Sequence, residues 1–259
     1  MAEATVGFEA TNLLGLHANF QTTASGINVV ETNVQVMDEV GNVECETNIA
    51  DITNYTQSAS YCGSDFVADL GTFLTQFGDA QTGVDQVDSP LTAVVTELTI
   101  NMSAGEYVTI DITGHNHDEN AHAAGEALGY ADLSDFLPHE ATEAFNAWDG
   151  FGVPDFGITT GDNASPSSAT VTFSMNHIDQ IDEDGDHLVG KNITPRCELS
   201  MDFVGVPTSN TPALLETDFD ALTEDMLVPE VDSTDTNDSN SDFDTFSFSA
   251  HANTDLETA

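Results

Sequence analysis

The chain has 259 residues and carries 46 Asp and Glu against two cations, Lys191 and Arg196, for a formal net charge of -44. Like charge at this density opposes compaction in dilute buffer, and molar salt, which cuts the screening length to about 3 Å, removes most of that penalty. The composition describes a protein built for saturating salt. It excludes a nucleic-acid groove and an anionic-membrane surface, since both need several Lys or Arg.

Hydrophobic residues make up 39% of the chain and fall in short strand-like runs, enough for the core of one large or two small domains. Fifteen Phe against one Trp and four Tyr predict a core filled by plain apolar rings. Cys45, Cys62 and Cys197 show no CxxC spacing, and their odd number leaves room for at most one bridge within the chain. Buried or inert thiols are the expectation. The opening MAEATVGFEATNLLG has neither a basic n-region nor an apolar h-region, which predicts synthesis in the host cytoplasm without a signal peptide. No run approaches the roughly 18 apolar residues of a membrane span.

Residues 1–26 read as an N-terminal arm. Strands are predicted from Ile27, with imperfect alternation through Val30 and again over Val34–Met37. Residues 38–42 supply a turn and Val43–Ile49 start the return strand. Over residues 65–77, Phe66, Leu70, Phe73, Leu74 and Phe77 share a helical face, although Gly71 weakens the helix. Leu91–Met102 and Tyr107–Thr113 form the next strand pair, joined by residues 103–106, and the second of these alternates cleanly.

From Asp118 to Trp148 the chain turns rich in Ala, Glu and Leu. Two short helices are predicted there, at 122–130 and 134–148, with Ser134 as N-cap, Pro138 in the first turn, and Gly150 and Gly152 ending them. Strands resume over Ala169–His177 and Ile193–Val204 around a turn at 182–186. Thr208–Thr211 is a linker, and Leu214–Leu227 holds one or two helical turns. The acidic low-complexity stretch Asp232–Asp242 cannot bury a core, yet Phe246 and Phe248 then mark a good terminal strand. That strand either closes the chain's own sheet or adds to a neighbour's edge. Three strands also end alike, each running from alternating Thr and apolar residues into His115, His177 or His251.

The expected fold is mainly β: an antiparallel β-sandwich over residues 27–206, with a small helical insertion at 118–148. Residues 207–259 follow as an acidic linker and an extended C-terminal arm ending in a strand.

Two clusters are candidate metal sites. His115, His117 and His122, with Asp118 and Glu119, are ligand types for zinc or another transition ion, but they match no zinc signature. The competing reading is a polar loop, with His retained where Lys and Arg have been purged. Asp179, Asp182, Asp184 and Asp186 crowd a turn in which Asp182, Asp184 and Gly185 fit positions of a calcium loop. Gln180 and Lys191 break the pattern at its two ends. A carboxylate-rich hairpin turn that holds Ca2+, Mg2+ or Na+ loosely is the alternative. Lys191 and Arg196 stand close together in one segment, so each is expected to answer specific carboxylates, Arg196 through a bidentate pair. GxSxG, P-loop and GxGxxG motifs are absent, and the chain is not read as an enzyme.

Two strand blocks flanking a helical insert, over residues 27–206, resemble the sandwich-plus-helix plan of tailed-virus tail-tube proteins. The layout is also similar to the jelly-roll capsid proteins of tailless haloarchaeal viruses. The resemblance implies a virion structural protein of a halophilic virus, a homo-oligomer that meets other virion proteins and binds no specific nucleic-acid sequence. The tail tube is favoured, because the helical insert suits it and an acidic lumen lets DNA slide. The alternatives are a capsid protein, a cation-binding surface or spike β-domain, and a metal-dependent enzyme using the three histidines.

Overall fold

The computed structural model describes residues 16–37, 43–66, 69–70, 80–83, 91–116, 148–154, 156, 158–161, 164–181, 187–220, 230–238 and 243–253. Alternating sequence becomes extended chain throughout. The strands are β1 (Phe20–Met37), β2 (Val43–Tyr61), β3 (Ala80–Gly83), β4 (Leu91–Ser103) and β5 (Thr109–Asn116). They continue with β6 (Ser165–Ile181), β7 (His187–Val204), β8 (Glu230–Asn237) and β9 (Thr245–Asn253). A helix, α1 (Pro212–Asp220), precedes β8, with Pro212 in its first turn, where a missing N–H costs nothing. The two helices expected at 122–130 and 134–148 lie outside the described residues, apart from Trp148.

All nine strands of the described residues belong to one antiparallel sheet, in the order β1-β2-β5-β4-β6-β7-β9-β8, with β3 paired to β4. The sequence led us to expect two layers. Alternation marks which face of a strand is buried, but not which strands share hydrogen bonds. One face carries a single apolar cluster. Leu98 and Ile100 of β4, Ile110 of β5, Val171 of β6, Leu199 and Met201 of β7, and Phe246 of β9 are each at most 1% exposed. Phe66, Leu70, Trp148, Phe156, Ile158 and Leu215 of α1 cover that face from outside the sheet.

The chain ends differ from expectation in two ways, and a third feature decides between two open expectations. Residues 20–26, assigned to an arm, are the start of β1. The acidic stretch after Glu230 is an edge strand, because β8 needs only the backbone of β9 and leaves seven of its eight residues exposed. The C-terminal strand lies within the chain's own sheet, hydrogen-bonded to β7 on one side and β8 on the other.

Two hairpins outrun the sheet at the same end. β2 pairs with β5 only over Asn54–Ser60, while its pairing with β1 continues to Met37↔Val43. Likewise β6 leaves β4 at Ser174, and β7 leaves β9 at Arg196, yet β6 and β7 stay paired to Ile181↔His187. Among the described residues, these two-stranded ribbons extend roughly 30 and 20 Å, at about 3.3 Å per residue, beyond the last third strand.

Candidate functional site

The face opposite the core is built almost wholly from short polar side chains, because each strand alternates Ser, Thr, Asn or an acid with an apolar residue. β6 presents Ser168, Thr170 and Thr172, β7 presents Glu198, Ser200 and Asp202, and β9 presents Ser247, Ser249 and His251. Cross-strand hydrogen bonds link them. Asp111 accepts from Ser58 Oγ at 2.5 Å and from Asn101 Nδ2 at 3.0 Å, and Asn101 Oδ1 accepts from Thr170 Oγ1 at 3.4 Å. Thr99 and Thr172 hydroxyls meet at 3.2 Å, and Ser168 Oγ donates to Asp202 at 2.6 Å. In a chain almost without cations, neutral hydroxyls and amides solvate the carboxylates that Lys would otherwise pair with.

A shallow trough of about 250 Å³ crosses this face over β6, β7, β9 and β8, lined by Thr170, Thr172, Glu198, Ser200, Asp232 and Ser249. His251 stands directly across from Glu198 in the β7–β9 register. Its Nδ1 lies 2.9 and 3.0 Å from the two carboxylate oxygens of Asp232. That contact fixes the ring, because a proton on Nδ1 leaves the other nitrogen as the acceptor of the neutral form. A bulge between Val231 and Ser233 brings Asp232 into position. Ser249, two residues from His251, meets the Ser233 hydroxyl at 2.8 Å. Arg196 Nε approaches Glu198 Oε1 to 2.6 Å. The approach does not meet hydrogen-bond geometry, so it is an ion pair made through Nε and not the bidentate fork expected from the sequence.

A second polar cluster closes the base of the sheet, the end away from the ribbons. Asp69 Oδ2 accepts from Asn19 Nδ2 at 2.7 Å and from the Tyr61 hydroxyl at 2.6 Å, and His17 Nδ1 lies 3.2 Å from Asp69 Oδ1. The same His17 nitrogen accepts from the Asn19 backbone N–H at 3.3 Å. Burial raises the Asp69 carboxyl, but hydrogen bonds from Asn19 and Tyr61 and the charge of His17 outweigh it and hold the group below its ordinary value. Burial pushes the Tyr61 phenol well above its usual range, and donation to Asp69 adds to that. Phe20 and Phe66 pack tilted and edge-on against the phenol ring at 5.0 and 5.2 Å centroid spacings, and Phe66 in turn meets Trp148 edge-on at 5.1 Å.

The sequence-derived metal candidates are mostly not placed. His115 lies on β5, its backbone paired with Asn54 and Val94, and Asp179 lies on β6 opposite Gly190. Both stand toward the ribbon end, on strands separated by β4. His117, His122, Asp182, Asp184 and Asp186 lie outside the described residues. Among the described residues no three His, Cys, Asp or Glu side chains are gathered as a metal site. Lys191 is opposite Ile178 on the β6–β7 ribbon. The lookalike strand ends at His115, His177 and His251 run in the same direction, on β5, β6 and β9; the first two reach about the same height in the sheet, and His251 stands about five residues lower. The His251–Asp232 pair and the Asp69 clasp escaped the sequence reading because their members stand 8 (Tyr61–Asp69), 19 (Asp232–His251) and 50 (Asn19–Asp69) residues apart, with no motif spacing to mark them.

No family model matches the chain, and no curated protein matches it. Among the described residues no helix is long and apolar enough to cross a membrane.

Proposed function

We propose that the chain is a structural subunit that assembles with copies of itself, and with other virion proteins, in a virus particle adapted to molar salt. The two ribbons carry this reading. An isolated two-stranded hairpin is marginal in water, and three or more strands are needed for independent stability. Among the described residues, roughly 20–30 Å of two-stranded sheet extends past the last third strand in two places at once. Such an arrangement is completed by strands from outside the fold, and the sheet also has β1 and β8 as its outer strands.

The tail tube is the finer form of the proposal. Its wall would be made of laterally joined sheets, with the hydroxyl-and-carboxylate face toward the lumen, where it would not hold DNA. The charge of -44 sets the condition for either form, because copies approach one another only when their repulsion is screened. The test is electron microscopy and mass photometry of the purified protein from low to molar KCl. Rings, tubes or shells that appear as salt rises are expected. A folded monomer at every salt concentration overturns the reading.

A further inference from the structure

The two outer strands of the sheet are treated very differently. β8 is eight residues long and carries Glu230, Asp232 and Asp235, the short and charged form by which proteins keep an edge from pairing. β1 has 18 residues, one acid (Glu31) and no proline, in a chain with 46 acids. Its Ile27 is 50% exposed. β1 also forms the outer strand of the longer ribbon, the part of the sheet most in need of further strands.

We propose that β1 is a self-association edge: β1 of one copy pairs antiparallel with β1 of a second copy about a two-fold axis. The proposal rests on the reading that the chain self-assembles and names the surface. β1 contains one extra residue relative to β2, at Thr23, and from Ala24 to Met37 it has no insertion of its own. A two-fold axis normal to the sheet keeps every residue on its own face, so it passes through a residue paired with its own copy; centred on Val30, it sets Ile27 opposite Asn33, Asn28 opposite Thr32, and Val29 opposite Glu31 of the second copy. Residues 32–36 of each ribbon then lie beside residues 24–28 of the other copy, the part of β1 backed by β2 and β5. Each ribbon gains the strands it lacks, and Glu31 is set opposite Val29 and not opposite its own copy. Pairing through β8 brings six acids to one contact and leaves both ribbons unsupported.

The charge variants Asn28→Asp/Thr32→Asp and Asn28→Asp/Thr32→Lys test the register. Within one copy these positions face Asn54 and Ala50, so neither variant sets a new charge against an acid of its own sheet. Across the proposed contact the first variant opposes two pairs of acids, and the second makes two ion pairs. Sedimentation velocity at the lowest KCl concentration that keeps the fold is expected to show a wild-type dimer. Like charges directly opposite weaken its association at least about tenfold in the first variant, and the second restores it. Circular dichroism confirms that each variant is folded, and Asn28→Asp alone, with intermediate weakening, serves if a double variant is not. Equal association of the charge variants overturns the β1 edge, even where the protein still assembles. A monomer throughout overturns both the edge and the self-assembly on which it rests.

Discussion

Asp69→Asn is the sharpest probe of how this chain stabilises carboxylates without cations. The substitution keeps size and one acceptor oxygen, but it removes the charge to which Asn19 and Tyr61 donate at 2.7 and 2.6 Å. Hydrogen bonds to a charged group are worth about 1.5–3 kcal/mol each, against about 0.5–1.5 for neutral ones. Two such bonds, discounted because the Asp69 side chain keeps 15% of its exposure, put the loss at about 1–2 kcal/mol at neutral pH. The pH dependence carries a definite sign. The native carboxyl is held below its ordinary value, so its contribution is complete above the unfolded value of about 4 and vanishes as pH falls through the lowered native one. The assay is urea unfolding at fixed molar KCl, because guanidinium is itself a screening salt, read by the fluorescence of Trp148, the chain's only Trp. The gap between wild type and variant is expected to close below about pH 4. A gap that is absent at pH 7, or that persists unchanged into acid, would refute the account of the clasp.

Three further outcomes follow from the packing. Leu199→Ala, at 1% exposure, is expected to cost about 2–5 kcal/mol, and its neighbour Ser200→Ala on the opposite face to stay within about 0.5; equal costs in urea unfolding would mean the two faces are misassigned. Gly150→Ala is expected to lower the unfolding midpoint by well over the ordinary Gly-to-Ala effect, since φ there is 80° and a Cβ would run into the Tyr61 ring. A variant as stable as wild type would contradict that backbone conformation. In folded protein, thiol alkylation with peptide mapping is expected to label Cys62, which is exposed, and to spare Cys197, whose thiol burial drives far above its usual range. Labelling of Cys197 without unfolding would place it outside the core.

Much of the β content could be read directly: the clean alternation of residues 107–113 marks a strand and its buried face, Val108, Ile110 and Ile112, and strands were legible at 91–102, 169–177 and 193–204. Phe246 and Phe248 marked a last strand for the same reason, and both are buried. β8 was illegible: EVDSTDTN buries only part of Val231, and an edge strand held by backbone pairing leaves no hydrophobic signature. The candidate sites divide in a similar way. Histidine and carboxylate clusters close in sequence are visible as motifs, but the groups that the fold joins are His251 with Asp232 and Asp69 with Asn19 and Tyr61.

By itself the sequence determined the β class and the apolar side of its cleanly alternating strands, since both follow from a period of two along the chain, and its charge count set the expectation of a protein for molar salt. Tertiary structure alone decided that the strands share one sheet, that β9 lies between β7 and β8, and that two ribbons run past their neighbours. Those facts depend on which backbones meet, and strand pairing joins residues too far apart in sequence for any local pattern to specify the partner.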